Sequence, residues 1–402
     1  MNRHFDRNKF LLGTYCLEPY ARTEEHIADI KKAGIDFICS VPADKELLDL
    51  CEKYDMGLFA KYLPFWWGGK GEKAGKLHEE ITTDVYEKLA EEFTDHPALW
   101  ALDLGDEPSA VDLPHYGKLF RAAEKLFPNQ LPYLNLYPSY GAIWENTPEE
   151  VAHQLGVTDY AHHIQAFIDN VPADYICYDY YMYTTNPSAA YENLRVVADK
   201  CRESQRDMWI ILQVNSHDPN KWINLPQLRH QAFTALAFGV RSINWACWTA
   251  GWFHNEVLDD KGTKTEQYSK LCQVNADIRA LTENYMAYRN TSTHFVGFEG
   301  SELLSEVKAE KGNDISLGIF SHINSGGNSI IGHMEGDMGQ ALFIADSTDP
   351  YGENPTEYEV TFCCEKSLDF TAIDALITRE GNTYRLKIKS NGAVFVRENS
   401  SL

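Results

Sequence analysis

Between residues 10 and about 285, short apolar runs alternate with helical stretches. This alternation constrains the fold more than any other feature of the chain. Eight runs are strand-like: Phe10–Cys16, Ile35–Val41, Met56–Leu63, Leu99–Leu102, Leu131–Tyr137, Asp174–Tyr183, Met208–Val214 and Ser242–Trp248. Apolar spacing predicts helices between them, over Thr23–Ala33, after Asp44, and over roughly Leu77–Phe93, Tyr116–Leu126, Val157–Asn170, Ala189–Ser204, Pro226–Phe238 and about Lys264–Leu281. Thr23 and Asp44 are N-cap residue types, and Gly34 ends the first helix. The runs are continuously apolar, as parallel strands covered on both faces must be. Eight strand–helix units fit an α/β fold, the closed (β/α)8 or TIM barrel. An open doubly wound sheet is the alternative, but it carries a Gly-rich loop after its first strand, and Glu18-Pro19-Tyr20-Ala21 is not one.

After residue 290 the helical spacing stops. Short β-rich pieces follow, among them Leu317–Phe320, Ala341–Ala345, Tyr358–Phe362, Tyr384–Ile388 and Val394–Val396. Turn signals such as Ser325-Gly326-Gly327 and Ser390-Asn391-Gly392 separate them. The expected organisation is a barrel over 1–288 and a small antiparallel β-sandwich over 289–402. This second part either covers the cleft of another copy in a homo-oligomer or braces the barrel.

The chain of 402 residues carries a net charge of −23, which argues against nucleic acid or an anionic membrane as partner. No run approaches the roughly 20 apolar residues of a membrane span. The N-terminal segment has no hydrophobic signal core, so a cytoplasmic location is expected. Nine Cys are scattered, with no CxxC pair and no zinc-type Cys/His spacing. Neither a metal nor a cofactor is expected. Aromatic residues reach 12 %, with nine Trp and 22 Tyr. Most of these rings serve a large core, and some suit a sugar-binding cleft.

The chemistry concentrates in Ala98–Pro108, where a buried-strand pattern runs through Gly105 into Asp106, Glu107 and Pro108. Gly permits the bend and Pro ends the pairing. Adjacent carboxylates at a strand end raise one another's pKa, which keeps one acid protonated near neutrality. A solvated acidic turn or a helix N-cap is the plain alternative. In a barrel, residues just after the strands face one rim. That set is Glu18, Trp66, Trp67, Asp106, Glu107, Tyr137, Asp179 through Tyr183 (with Tyr181), Gln213, Asn215, His217, Trp248, Trp252 and His254. Rings, amides and carboxylates together suit a sugar: C–H faces stack on rings and hydroxyls find polar partners.

Three segments carry a resemblance: Leu104–Pro108, Ala232–Trp245, and Val257–Tyr268 with Val274–Ile278. The chain resembles the clan A glycoside hydrolases, especially the family 42 β-galactosidases and their relatives. The resemblance implies a carbohydrate substrate and makes Glu107 the general acid/base. The clan's Asn before this acid is Asp106 here. Its nucleophilic Glu at the end of strand seven is absent, since Leu212–His217 offers only Gln213 and Asn215. A retaining hydrolase needs two carboxyl groups roughly 5–5.5 Å apart and an inverting one roughly 6.5–9.5 Å. Asp179 after strand six is the first candidate for the second carboxylate, Glu18 the next, and Glu256 the third. Asp106 is expected to diverge from Glu107, as successive strand side chains do. Asp179 otherwise orients a neighbouring Tyr or Arg, and Glu18 leads a helix. Trp66 and Trp67 form a sugar platform or seat a lid. Gln213 binds a ligand or a side chain. His217 otherwise sits at the surface beside Asp218. Two further readings stay open: a barrel that binds carbohydrate without cleaving it, and a metal-dependent sugar isomerase or epimerase using Glu107, Asp179 and His217.

Overall fold

The computed structural model describes residues 4–68, 73–141, 147–308 and 311–399. Gly69, which follows Gly68 in the sequence, lies outside them, as do the first and last three residues of the chain. Eight strands are central: Leu11–Tyr15 (β1), Phe37–Pro42 (β2), Gly57–Lys61 (β3), Leu99–Asp106 (β4), Leu131–Asn135 (β5), Tyr175–Tyr180 (β6), Asp207–Gln213 (β7) and Val240–Ala246 (β8). Each pairs in parallel with its successor from β1 to β5 and from β6 to β8. Strand β8 returns to β1 in the register Leu11↔Ser242 to Tyr15↔Ala246. One parallel bridge, Leu136↔Tyr178, links β5 to β6 and completes the circle. The fold is a (β/α)8 barrel, with helices covering the outside.

The helices start where local chemistry demands. Thr23 accepts from the His26 N–H ahead of Glu24–Lys32, and Asp44 accepts from the Glu46 N–H ahead of Lys45–Lys53. Predictions of helix extent differ from the structure in several places; the Tyr116–Leu126 helix, for one, begins at Leu113. The Leu77–Phe93 helix is two pieces, Leu77–Glu80 and Thr83–Glu92. Ile81 between them is extended, and its carbonyl is 2.6 Å from His115 Nε2. The helix expected from Val157 begins at Tyr160, capped by Asp159. A separate helix, Pro148–Leu155, precedes it, started by a Thr147/Glu150 capping box and stopped by Gly156 in the left-handed region.

Inside the barrel, packed aromatic rings fill the lower layer. Phe37 and Phe59 lie 4.2 Å apart between centroids, Phe59 and Tyr133 5.3 Å, and Tyr175 and Trp209 4.7 Å. These rings fill the barrel interior beneath the cavity at the C-terminal ends of the strands.

A separate, largely antiparallel sheet follows the barrel. Its long strand Thr383–Glu398 pairs with Gly339–Asp346, Glu357–Cys363 and Leu368–Glu380. One face holds its own core, including Phe320, Ile344, Phe362 and Val394. The other packs on the barrel, where Tyr285 meets Phe343 at 6.0 Å and Phe395 at 5.8 Å.

Candidate active site

Strand β4 builds the centre of the rim. Its register with β5 shifts between Asp103 and Asp106, an irregularity of the kind that re-aims side chains. Asp106 therefore faces across the barrel mouth. Gly105 is required here, because a Cβ would meet Tyr116 Oη at 2.0 Å and the Trp66 carbonyl at 2.6 Å. Glu107 then takes φ +46°, a left-handed conformation uncommon for a residue with a Cβ. That turn sets aside the strand alternation. Asp106 and Glu107 both line one cavity of about 440 Å³.

Asp179, at the end of β6, lines the same cavity. Asn135, the last residue of β5, joins the carboxylates: its Nδ2 donates to Asp106 Oδ1 at 2.9 Å and to Asp179 Oδ1 at 2.8 Å. Tyr15, the last residue of β1, donates its hydroxyl to Asp106 Oδ2 at 3.2 Å. Trp67 donates its indole N–H to Glu107 Oε2 at 3.0 Å. Trp67 and Trp252 are 47 % and 58 % exposed and give the cavity two open aromatic surfaces. Tyr181 lines the wall and hydrogen bonds Asp179.

The electrostatics follow from crowding acids in a shielded place. Desolvation, then the charges of Asp179 and Asp106, push the Glu107 carboxyl well above its ordinary range, while the Trp67 bond pulls it down. Burial first and Asp106 second raise Asp179 to about 7, against the Asn135 and Tyr181 bonds. Desolvation also raises Asp106, opposed by Asn135, Tyr15 and the Lys61 ammonium. One layer below, burial lifts Asp103 to about 8. Carboxylates this close cannot all ionise, and Glu107, with the weakest set of partners, keeps its proton best. His217, on the cavity wall, is lowered to about 4 by burial and by His254, so it is neutral at pH 7.

The remaining rim residues divide. Glu18 and Glu256 lie together in a neighbouring cavity of about 510 Å³, not beside Glu107. Burial raises Glu256 to about 7, with Glu18 and Asp260 adding to the rise, and the Ala250 N–H donates to it at 2.9 Å. Trp66 is buried and pairs its backbone with Gly105. Tyr137 is fully buried behind the cavity, where burial and then Glu107, Asp106 and Asp179 hold its phenol well above the ordinary value. Gln213 is tied into the loop after β6: its Oε1 accepts from the Tyr183 N–H at 3.1 Å and its Nε2 donates to Thr184 Oγ1 at 3.2 Å. Asn215 donates to the Cys247 carbonyl at 2.9 Å, and Trp248 packs edge-on against Tyr268. These five hold the rim together from behind. Tyr15, Lys61 and Asn135 line the cavity without having been singled out in the sequence. They are strand-end residues, one position before the place where rim residues are sought. Among the described residues, no group of three or more His, Cys, Asp or Glu side chains is arranged to hold a metal ion.

Gly68 carries one direct prediction. Its N–H donates to the Asp106 carbonyl at 2.8 Å, and a Cβ there would lie 2.0 Å from the Glu107 carbonyl oxygen. Gly68→Ala is expected to displace Glu107 and its Trp67 partner while the protein still melts cooperatively. A crystal structure of the variant beside thermal unfolding checks it.

No known protein family matches this chain, and no curated protein does. Among solved structures it is similar to an α-amylase from H. orenii, at 8 % identity and a TM-score of 0.49, covering 98 % of this chain and 100 % of the other. It is also similar to an endoglucanase from Pseudomonas stutzeri, at 16 % identity and a TM-score of 0.42, covering 66 % and 93 %. A third is a family 128 endo-β-1,3-glucanase from Sorangium cellulosum, at 14 % identity and a TM-score of 0.41, covering 65 % and 98 %. Likeness at this level carries nothing about residues or activity. Among the described residues no helix is long and apolar enough to cross a membrane.

Proposed function

We propose that the protein is a glycoside hydrolase acting on an oligosaccharide or glycoside. Glu107 is its general acid/base and Asp179 its second carboxylate. The observation that carries this reading is the meeting of Glu107 and Asp179 in one cavity, which the exposed rings of Trp67 and Trp252 also line. Paired carboxyl groups with different proton affinities are the working parts of glycoside cleavage. Glu107 holds its proton for the leaving oxygen. Asp179, ionised above about 7, activates a water or attacks the anomeric carbon. Asp106, held by the Tyr15 hydroxyl and the Asn135 amide, accepts a sugar hydroxyl. In this reading the barrel over 1–288 is the catalytic part and the sheet over 289–402 its accessory.

The reading sets a pH dependence. The productive state has Glu107 protonated and Asp179 ionised. Activity is expected to rise with pH through about 7, as Asp179 loses its proton. It falls again where Glu107 gives up its own, well above the ordinary carboxylate range. A pH–rate profile of kcat/KM checks both limbs; an acid limb near the ordinary aspartate value would remove Asp179 from this role. The anomer formed first, read by NMR, then assigns Asp179 as nucleophile if configuration is retained and as base if it is inverted.

One observation favours a second reading. Strand β7 ends in Gln213, which is buried and fully engaged with the neighbouring loop, so no carboxylate reaches the cavity from that strand. A barrel that binds carbohydrate without cleaving it has no need of one. Sugar binding without turnover of any glycoside would decide for it.

A further inference from the structure

The three exposed tryptophans among the described residues, Trp67, Trp222 and Trp252, all lie on the same rim of the barrel. Exposed indoles carry a large hydration cost, and gathering them on one face is informative in a way that single exposed rings are not. Trp67 and Trp252 belong to the carboxylate cavity. Trp222, 41 % exposed, and Tyr20, 39 % exposed, belong to the neighbouring cavity of about 510 Å³.

The two cavities share a wall. Phe253 lines the second, and its ring lies 4.2 Å from His217 and 5.4 Å from Tyr181, which line the first. The wall is held firmly. Ser216 and His254 exchange backbone hydrogen bonds of 3.0 and 2.7 Å, which zips the loop after β7 to the loop after β8. Asn255 Nδ2 donates to the Pro219 and Lys221 carbonyls at 3.1 and 2.5 Å. The Lys270 ammonium, engaged with Glu266 and Gln267, sits 5.6 Å from the centre of the Trp222 ring and props it. Aromatic surfaces are thus set in a rigid frame, which lowers the entropy cost of binding.

The polar lining decides the ligand. Glu18, Glu256, Asp259 and Asp260 line the second cavity; among the described residues no Lys or Arg lines it, and the Lys270 ammonium near Trp222 is engaged with Glu266 and Gln267. Carboxylates accept from hydroxyl groups and repel anions. Uronates and sulfated sugars are therefore disfavoured, and an uncharged sugar ring with one face on Trp222 or Tyr20 is suited.

We infer that the cavity lined by Tyr20, Trp222 and Phe253 is a second glycosyl subsite, taking an uncharged sugar unit of an oligosaccharide whose reacting unit lies between Glu107 and Asp179. This rests on the reading of the first cavity as a glycosidase site, and it deepens that reading from a glycoside to an oligosaccharide of neutral units.

The test is a calorimetric titration of neutral cello-, laminari-, xylo-, manno- and galacto-oligosaccharides, monomers through hexamers, into the Glu107→Gln protein. The same titrations are made with Trp222→Ala or Tyr20→Ala added. The expected result is that one series binds more tightly as it lengthens, and that Trp222→Ala removes roughly tenfold of the affinity of the long members, the size of one stacking contact. The monomer of that series is expected to change less than about twofold. Long members that bind no tighter than the monomer overturn the inference. So does a Trp222→Ala loss equal for monomer and hexamer, or binding of uronate oligomers as tight as that of neutral ones. Turnover plays no part in these titrations. Length-dependent binding through Trp222 in a protein that hydrolyses nothing keeps the subsite and removes the hydrolase. Hydrolysis of aryl monoglycosides with no length dependence keeps the hydrolase and removes the subsite.

Discussion

Glu107→Gln is expected to lower kcat on an unactivated glycoside by roughly 10²–10⁴, the usual contribution of a positioned general acid. Gln keeps the shape of the side chain, and its carbonyl still accepts from the Trp67 indole. It cannot give a proton to the leaving oxygen. The loss must therefore depend on the leaving group. A nitrophenolate departs with little protonation, so nitrophenyl glycosides should lose much less than natural ones at the bond-breaking step. A loss equal for both kinds of substrate would place Glu107 in binding or orientation instead. The variant should melt no lower than wild type at neutral pH, because the substitution removes a carboxyl whose ionisation the fold resists.

Asp179→Asn combines the second large loss with a gain. Activity should fall by roughly 10²–10⁴ or more on every substrate, whatever its leaving group, because both anomeric outcomes need this carboxylate. Stability should move the other way. Asp179 is 3 % exposed and its carboxyl is raised to about 7 from an ordinary value of 3.8. The folded state thus holds this proton more tightly than the unfolded chain does. The stabilising effect is full below the unfolded value and is lost as pH rises through about 7. Wild type and variant should melt alike near pH 4, and the variant should melt a few degrees higher near pH 8, for an effect on the order of 2 kcal/mol. Asn keeps an oxygen for the Asn135 amide, so that bond need not be lost. Thermal melts across pH test the gain, and kinetics on natural and nitrophenyl glycosides test the loss. Equal melting at both pH values would mean that Asp179 is not held against its ionisation.

Much of this architecture is legible in the residues alone, for identifiable reasons. Parallel strands are buried on both faces, so each leaves an uninterrupted apolar run, and caps such as Thr23 and Asp44 mark the helix starts. The break at Ile81 is masked by the spacing, because Ile81, Val85 and Leu89 keep helical periodicity across it; in the structure the Ile81 carbonyl meets His115 and Thr82 stands at the N-cap of the next helix. The helix Pro148–Leu155 did leave a signal, the Thr147/Glu150 capping box, between the run ending at Tyr137 and the helix expected from Val157. In the site, Glu107 stands out because Gly and Pro bracket it. Asn135 does not, since it lies in an apolar run and reads as core. Which rim carboxylates converge depends on strand tilt and curvature, which no spacing records. Asp179 turns into the cavity of Glu107, while Glu18 and Glu256 turn into the next one. Gln213 is conspicuous in the sequence, yet its partners are the backbone of Tyr183 and the side chain of Thr184.

The most direct measurement is hydrolysis of a panel of α- and β-linked nitrophenyl and natural oligosaccharide glycosides by wild type, Glu107→Gln and Asp179→Asn side by side. The predicted result is cleavage of at least one member by wild type, with both variants impaired and the Glu107→Gln loss greatest on natural glycosides. Wild-type inactivity across the panel while sugars still quench tryptophan fluorescence would contradict it, as would full activity in either variant.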